Sequence, residues 1–169
     1  MEILIRQALT ENAYDYAVNH IACWRAAYKG ILSDEYLKNM VVEKMAETNQ
    51  RILSEPGLYK CYYVEHNGKM IGRLVINKSR DEDKADAGEI SAMYLLSEYW
   101  DKGYGREMMD FSLSELKRMG HNEVILWVLE ANSRARLFYE KCRFTFDGTL
   151  KEINIDTLHT HMRYVLNIQ

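Results

Sequence analysis

The chain has 169 residues, 47% of them hydrophobic and 28% charged, with a net charge of −3. That profile suits one soluble globular domain with a core of its own and leaves no basic footprint for nucleic acid. Three widely spaced cysteines, Cys23, Cys61 and Cys142, form no CxxC pair, which argues against a zinc site or disulfide framework and for reduced cytoplasmic thiols.

The N-terminal stretch lacks the apolar core of a signal peptide, and no apolar run reaches the length of a membrane span. The expectation is a cytoplasmic protein, monomer or homodimer, with no membrane or nucleic-acid partner. Residues 2–8 read as a short strand. Ala13, Ala17, Ile21, Trp24 and Tyr28 then recur at helical spacing, with Thr10 placed to cap the start and Gly30 to end it. A second helix is expected over residues 33–53, with Ser33 as N-cap and Leu37, Met40, Val41 and Met45 on its apolar face. Pro56-Gly57 breaks the chain.

Residues 58–66 and 69–78 read as two strands joined at Asn67-Gly68, a strong hairpin signal. Residues 79–88 are charged and read as a solvated loop. A third strand, EISAMYLL, precedes a helix at 106–120 that closes on Gly120. EVILWVLE reads as a buried central strand, NSRARLFYEKC as a short helix, and two alternating strands finish the chain. The order is β-α-α-β-β-β-α-β-α-β-β, an α/β or α+β sheet covered by helices.

The distinctive stretch is YWDKGYGREMMD, residues 99–110. Gly103 and Gly105 bracket Tyr104, and Lys102 and Arg106 flank them at the mouth of a helix. The first amides of a helix lack intrahelical partners and carry partial positive charge, and glycine lets an anion approach the backbone. The turn therefore suits a phosphate. It is neither a P-loop nor a dinucleotide fingerprint: no Lys-Ser/Thr follows, and Met108 stands where a third glycine would be.

With the surrounding residues, the motif resembles the acetyl-CoA loop of the GCN5-related N-acetyltransferase superfamily, Gln/Arg-x-x-Gly-x-Gly/Ala. Trp100 takes the place of the first residue. Asn132, Ala135, Tyr139 and Phe144 match that family's following motif, with Arg143 where glycine is common. The resemblance implies a mixed, mostly antiparallel sheet of about seven strands flanked by helices, with one splayed parallel pair. It also implies acetyl-CoA as co-substrate, no metal, and transfer to a small-molecule or peptide amine in a ternary complex. Met93 and Leu95, with Tyr94 between them, are the implied contacts of the pantetheine arm. Asp101, Lys102, Gly103, Tyr104, Gly105 and Arg106 form the implied pyrophosphate loop, with the Asp101 side chain turned away. Asn132 is the implied contact to the arm as well as a helix cap.

Tyr139 is the expected general acid and Glu89 the expected base, with His20, His159 and His161 as rivals. Cys142 has no histidine beside it and reads as a packing residue. The segment CWRAAYKGIL resembles the acceptor side of the family, so Trp24 and Tyr28, with Tyr36, are expected to wall the acceptor pocket, and His161 to border it. Two other readings stand beside the enzyme: a non-catalytic acyl-CoA-binding module and a nucleotide-binding domain.

Overall fold

The computed structural model describes residues 3–55 and 57–168, so Pro56 of the expected break lies outside the described residues. Its centre is a seven-stranded sheet in the order β1-β2-β3-β4-β5-β7-β6. The strands are β1 (Leu4–Gln7), β2 (Lys60–His66), β3 (Lys69–Lys78), β4 (Gly88–Leu95), β5 (Glu123–Leu129), β6 (Thr145–Asn154) and β7 (Leu158–Asn167). All neighbours are antiparallel except β4 and β5, as the resemblance implied. Asn67 and Gly68 both take positive φ, 51° and 75°, as a two-residue turn between right-twisted strands requires.

Helices α1 (Ala13–Ala27), α2 (Asp34–Lys38) and α3 (Val42–Ser54) precede β2. α4 (Tyr104–Arg118) and α5 (Ser133–Lys141) flank β5 in sequence. α4 packs on the sheet through Met108, Met109 and Leu116, all fully buried with Ile71, Leu74, Val124 and Phe144. The opposite face carries a second cluster, in which Tyr16 of α1 meets Cys61 and Val75.

Three expectations need correction. The single helix over 33–53 is two helices: Asn39 ends α2, and Val41 is extended at φ −107°, ψ 123°. The carbonyls freed by the break are taken by Arg25, which donates to Leu37, Lys38 and Met40 at 2.9, 3.2 and 3.4 Å. A side chain twelve or more residues away thus overrides the local pattern. Thr10 is not the cap of the first helix. It begins a 3-10 turn over Thr10–Asn12, and α1 starts at Ala13.

The charged loop is not simply solvated. Arg163 on β7 is buried, and it binds Asp83 at 2.6 Å, Asp147 at 2.7 Å and Asp81 at 3.1 Å, which ties residues 81–83 to the last hairpin. Lys84 binds Glu123 at 2.9 Å. These carboxylates hold the Arg163 charge in place and push its pKa up, hydrogen bonding to Asp83 above all, against the opposing effect of burial.

Candidate active site

β4 and β5 pair only at Gly88↔Val124 and Glu89↔Ile125. Beyond that point β4 runs on against β3, from Ile90↔Ile76 to Leu95↔Gly72, while β5 keeps only β7, its partner along its whole length. The β5-facing edge of β4 from Ile90 to Leu95 therefore lacks a strand. Such an edge can take an extended ligand as if it were another strand. Met93 and Leu95 lie on this stretch with their side chains against the α4 core, and Tyr94 points to the other face.

The loop at the end of β4 opens onto the same edge. Asp101 and Gly103 take left-handed φ, 58° and 89°, on either side of Lys102, and Gly103 is the N-cap of α4. Among the described residues, no backbone carbonyl accepts from the amides of Asp101, Lys102 or Gly103. With the first amides of α4 they form a row of free donors at the positive end of a 15-residue helix. The Asp101 carboxylate accepts from Arg134 at 2.8 Å and so faces α5.

Arg134 also lies 4.4 Å from the Trp100 ring, and the Trp100 indole donates to the Leu95 carbonyl at 2.9 Å. These ties fix the loop to α5 and β4, and sequence reasoning missed them. Lys102 sits 5.3 Å from the Tyr99 ring, and Arg106 pairs with Asp110 at 3.0 Å. Tyr104 is buried beside His66 and Tyr99, so its backbone, not its ring, faces the opening. Gly105 is tightly packed: a Cβ there would stand 3.3 Å from the Phe138 ring.

Asn132 caps α5 by accepting from the Ala135 amide at 3.1 Å. That helix carries Tyr139 between Phe138 and Phe144. Burial pushes the Tyr139 phenol well above the usual range, reinforced by Tyr94 and Cys142. It therefore stays protonated at any working pH. Tyr139 also acts on Tyr28, whose pKa is likewise raised, chiefly by burial, and the Tyr28 and Tyr94 hydroxyls share a hydrogen bond of 2.7 Å.

Trp24 stands edge-on to Tyr28 with ring centroids 4.9 Å apart, and His20 is 5.0 Å from Trp24. The structure thus brings Tyr139, Tyr94, Tyr28 and Trp24 together beside the open edge. Tyr36 packs against the Tyr28 cluster and lines a separate cavity of about 680 Å³ with Met40, Lys44 and Asp156.

Glu89 lies elsewhere. It is five residues before Tyr94, roughly 16 Å along the strand at about 3.3 Å per residue. It is buried and held by Arg80 at 2.5 and 3.1 Å and by Asn77 at 3.3 Å. Burial works to raise its pKa, but the hydrogen bonds and charge of Arg80 outweigh that and hold it below the usual carboxylate range. His159 binds Asp156 at 2.6 Å, which in turn accepts from the Ser33 amide at 2.6 Å, a strut between the last hairpin and α2. His161 pairs across the sheet with Leu129, and burial lowers its pKa. Cys142 is buried. Among the described residues no cluster of three His, Cys, Asp or Glu side chains could hold a metal, and no helix is long and apolar enough to cross a membrane.

A sheet opened between two parallel strands, with a glycine loop at a helix N-terminus beside the opening, is a cleft suited to an extended ligand that carries a phosphate. The acetyltransferase (GNAT) family matches residues 12–144, and the chain belongs to that family. A probable N-acetyltransferase of Mycobacterium tuberculosis is 30% identical over 149 residues, covering 86% of this chain and 82% of the relative. The spermidine N(1)-acetyltransferase of Thermoplasma acidophilum is 26% identical over 129 residues, covering 75% and 78%. Among solved structures, the PaiA N-acetyltransferase of the same organism, in complex with coenzyme A, superposes with a TM-score of 0.75. It is 23% identical, covering 96% of this chain and 98% of that one.

Proposed function

We propose that this enzyme transfers an acetyl group from acetyl-CoA to an amine by direct attack in a ternary complex. The observation that carries this reading is the end of β4–β5 pairing at Glu89↔Ile125, which leaves the edge from Ile90 to Leu95 without a partner beside a row of free amides. The backbone at Met93 and Leu95 receives the pantetheine arm. The amides of residues 101–105, with Lys102 and Arg106, receive the pyrophosphate. Acetyl-CoA supplies the activated acetyl group as a thioester.

Tyr139 donates a hydrogen bond to the departing sulfur. Its raised pKa makes it a poor net acid against a thiol near 8.5, so it stabilises the developing thiolate without ionising. Asn132 holds the start of α5, and with it Tyr139, in place. Trp24 and Tyr28 wall the acceptor side. The proton that the amine loses leaves through water. Glu89, ionised and on the acceptor face of β4, receives it at a distance, with His161 as the rival, because burial and the Arg73 charge hold His20 too weakly basic for the task.

Calorimetry with acetyl-CoA and release of free thiol with an amine panel test the reading. Binding with amine-dependent release is expected. Binding without release would make the protein an acyl-CoA-binding module, and tighter binding of ATP or NAD would overturn the assignment.

A further inference from the structure

Arg73 lies in the middle of β3, cross-strand from Tyr94, and is 7% exposed. Its guanidinium stacks on the Tyr16 ring at 4.1 Å, and Nη1 contacts Nδ1 of His20. Among the described residues no carboxylate pairs with it, and its Nε has no hydrogen-bond partner. A buried charge without a counter-charge is costly.

Two more orphaned polar atoms lie on the same side of the sheet: Nε2 of His20 and Nε1 of Trp24. Their protonation follows from chemistry. A guanidinium only donates, so His20 Nδ1 must be its acceptor and the imidazole proton sits on Nε2. Burial and the Arg73 charge pull the His20 pKa down to about 3, which keeps the ring in that neutral form. An indole N–H only donates. The three orphans are therefore all donors, one of them cationic, and among the described residues no carboxylate pairs with any of them. Arg73 also lines a cavity of about 210 Å³ with Tyr16, Cys61, Arg80 and Ser91, a space that His20 and Trp24 do not border. Arg80 there is already neutralised by Glu89, which leaves one unmatched positive charge.

We infer that Arg73, with His20 and Trp24, forms an anion subsite that binds a carboxylate of the acceptor, so that the acceptor is an amino acid-like amine rather than a polyamine. A polyamine offers only donors and positive charge to a site that already has both. A carboxylate supplies the missing acceptors and the missing charge, and one carboxylate matches one unpaired guanidinium. Because Arg73 and Tyr94 are register partners, an amine tethered to that carboxylate lies over the β4 stretch proposed above to hold the pantetheine arm. The inference rests on that reading for its reaction but not for its ligand.

The test is calorimetry on the CoA-loaded protein with glycine, β-alanine, 4-aminobutanoate and L-lysine, each against its own carboxamide. Acid and amide match in size and differ in charge. At least one acid is expected to bind tenfold or more tightly than its amide and to lead it in thiol release with acetyl-CoA. Arg73→Met, which keeps the length of the side chain and removes the charge, is expected to erase that preference. If no acid outbinds its amide, or if Arg73→Met retains the preference, the subsite is refuted. The wild-type comparison needs no variant to fold. Failure of the cofactor reading shows separately, as absence of CoA binding before any amine is added.

Discussion

The two ends of β4 follow opposite rules. At its start, Gly88 and Glu89 have β5 alongside, and the Glu89 carboxylate is enclosed by Arg80 and Asn77. At its far end the edge has no strand, the loop beyond it leaves amides unspoken for, and three buried donors nearby have no acceptor. Buried backbone and side-chain polar groups are nearly always paired in folded proteins. A closed end therefore reports on stability and an open end on ligands. Variants at the open end should change rates and affinities, and variants at the closed end should change stability.

Tyr139→Phe keeps the ring and removes the donor. We expect kcat to fall roughly 10²-fold, about 2.7 kcal/mol, with acetyl-CoA affinity close to wild type. Steady-state thiol release and calorimetry measure the two, and full kcat in the variant would reduce Tyr139 to a packing residue. Gly105→Glu puts a negative charge at the first turn of α4. Acetyl-CoA affinity should drop at least tenfold, about 1.4 kcal/mol. Gly105→Ala isolates the steric part, since its Cβ meets Phe138, and unchanged affinity in the Glu variant would displace the pyrophosphate from this loop.

At the closed end, Glu89→Gln removes the charge facing Arg80. The loss should be about 1 kcal/mol, because the Arg80 side chain is 58% exposed and water can take over its charge. The folded pKa of Glu89 lies below its ordinary value. Its carboxylate therefore stabilises the fold above the unfolded value near 4.3, and that contribution fades as pH falls through the folded one. Denaturant titrations in that acid range should show a flatter decline in the variant than in wild type. The same variant tests proton removal: a Glu89 that serves as base loses kcat/KM most at low pH, where the amine is protonated, and His161→Gln is the control. A wild-type profile in Glu89→Gln confines that residue to the fold.

The smallest effect is expected at Arg143, which takes φ 71° at the bend after α5. Arg143→Gly relieves a left-handed side chain, and a gain of about 0.5 kcal/mol in thermal or chemical unfolding is expected. A loss would mean that the Arg143 side chain holds the bend.

What could be read from the sequence was what short spacing determines. Asn67-Gly68 announced its hairpin, and the strands around it followed from their alternation. Asn132 announced a helix start, and Gly103 and Gly105 a loop that leaves amides free. What could not be read depends on contacts across long stretches of chain. Arg25 splits a helix it does not belong to, and Arg163 gathers carboxylates some eighty residues away. The donor cluster is of the same kind. Tyr16, His20 and Trp24 recur every four residues on α1, with Tyr28 at its C-terminal cap, and Arg73 interrupts an apolar strand, but only the folded sheet puts the stripe over the charge.

The tie between the Trp100 indole and the Leu95 carbonyl has an optical consequence. Trp24 sits in the aromatic wall and Trp127 donates to Asp81 at 3.0 Å, which leaves Trp100 as the tryptophan of the loop itself. Indole emission shifts with the polarity and rigidity around the ring. A ligand settling along the β4 edge is expected to dry and stiffen that ring, so the protein's own light should report occupancy without an added dye, and Trp100→Phe should remove the loop's share of the change.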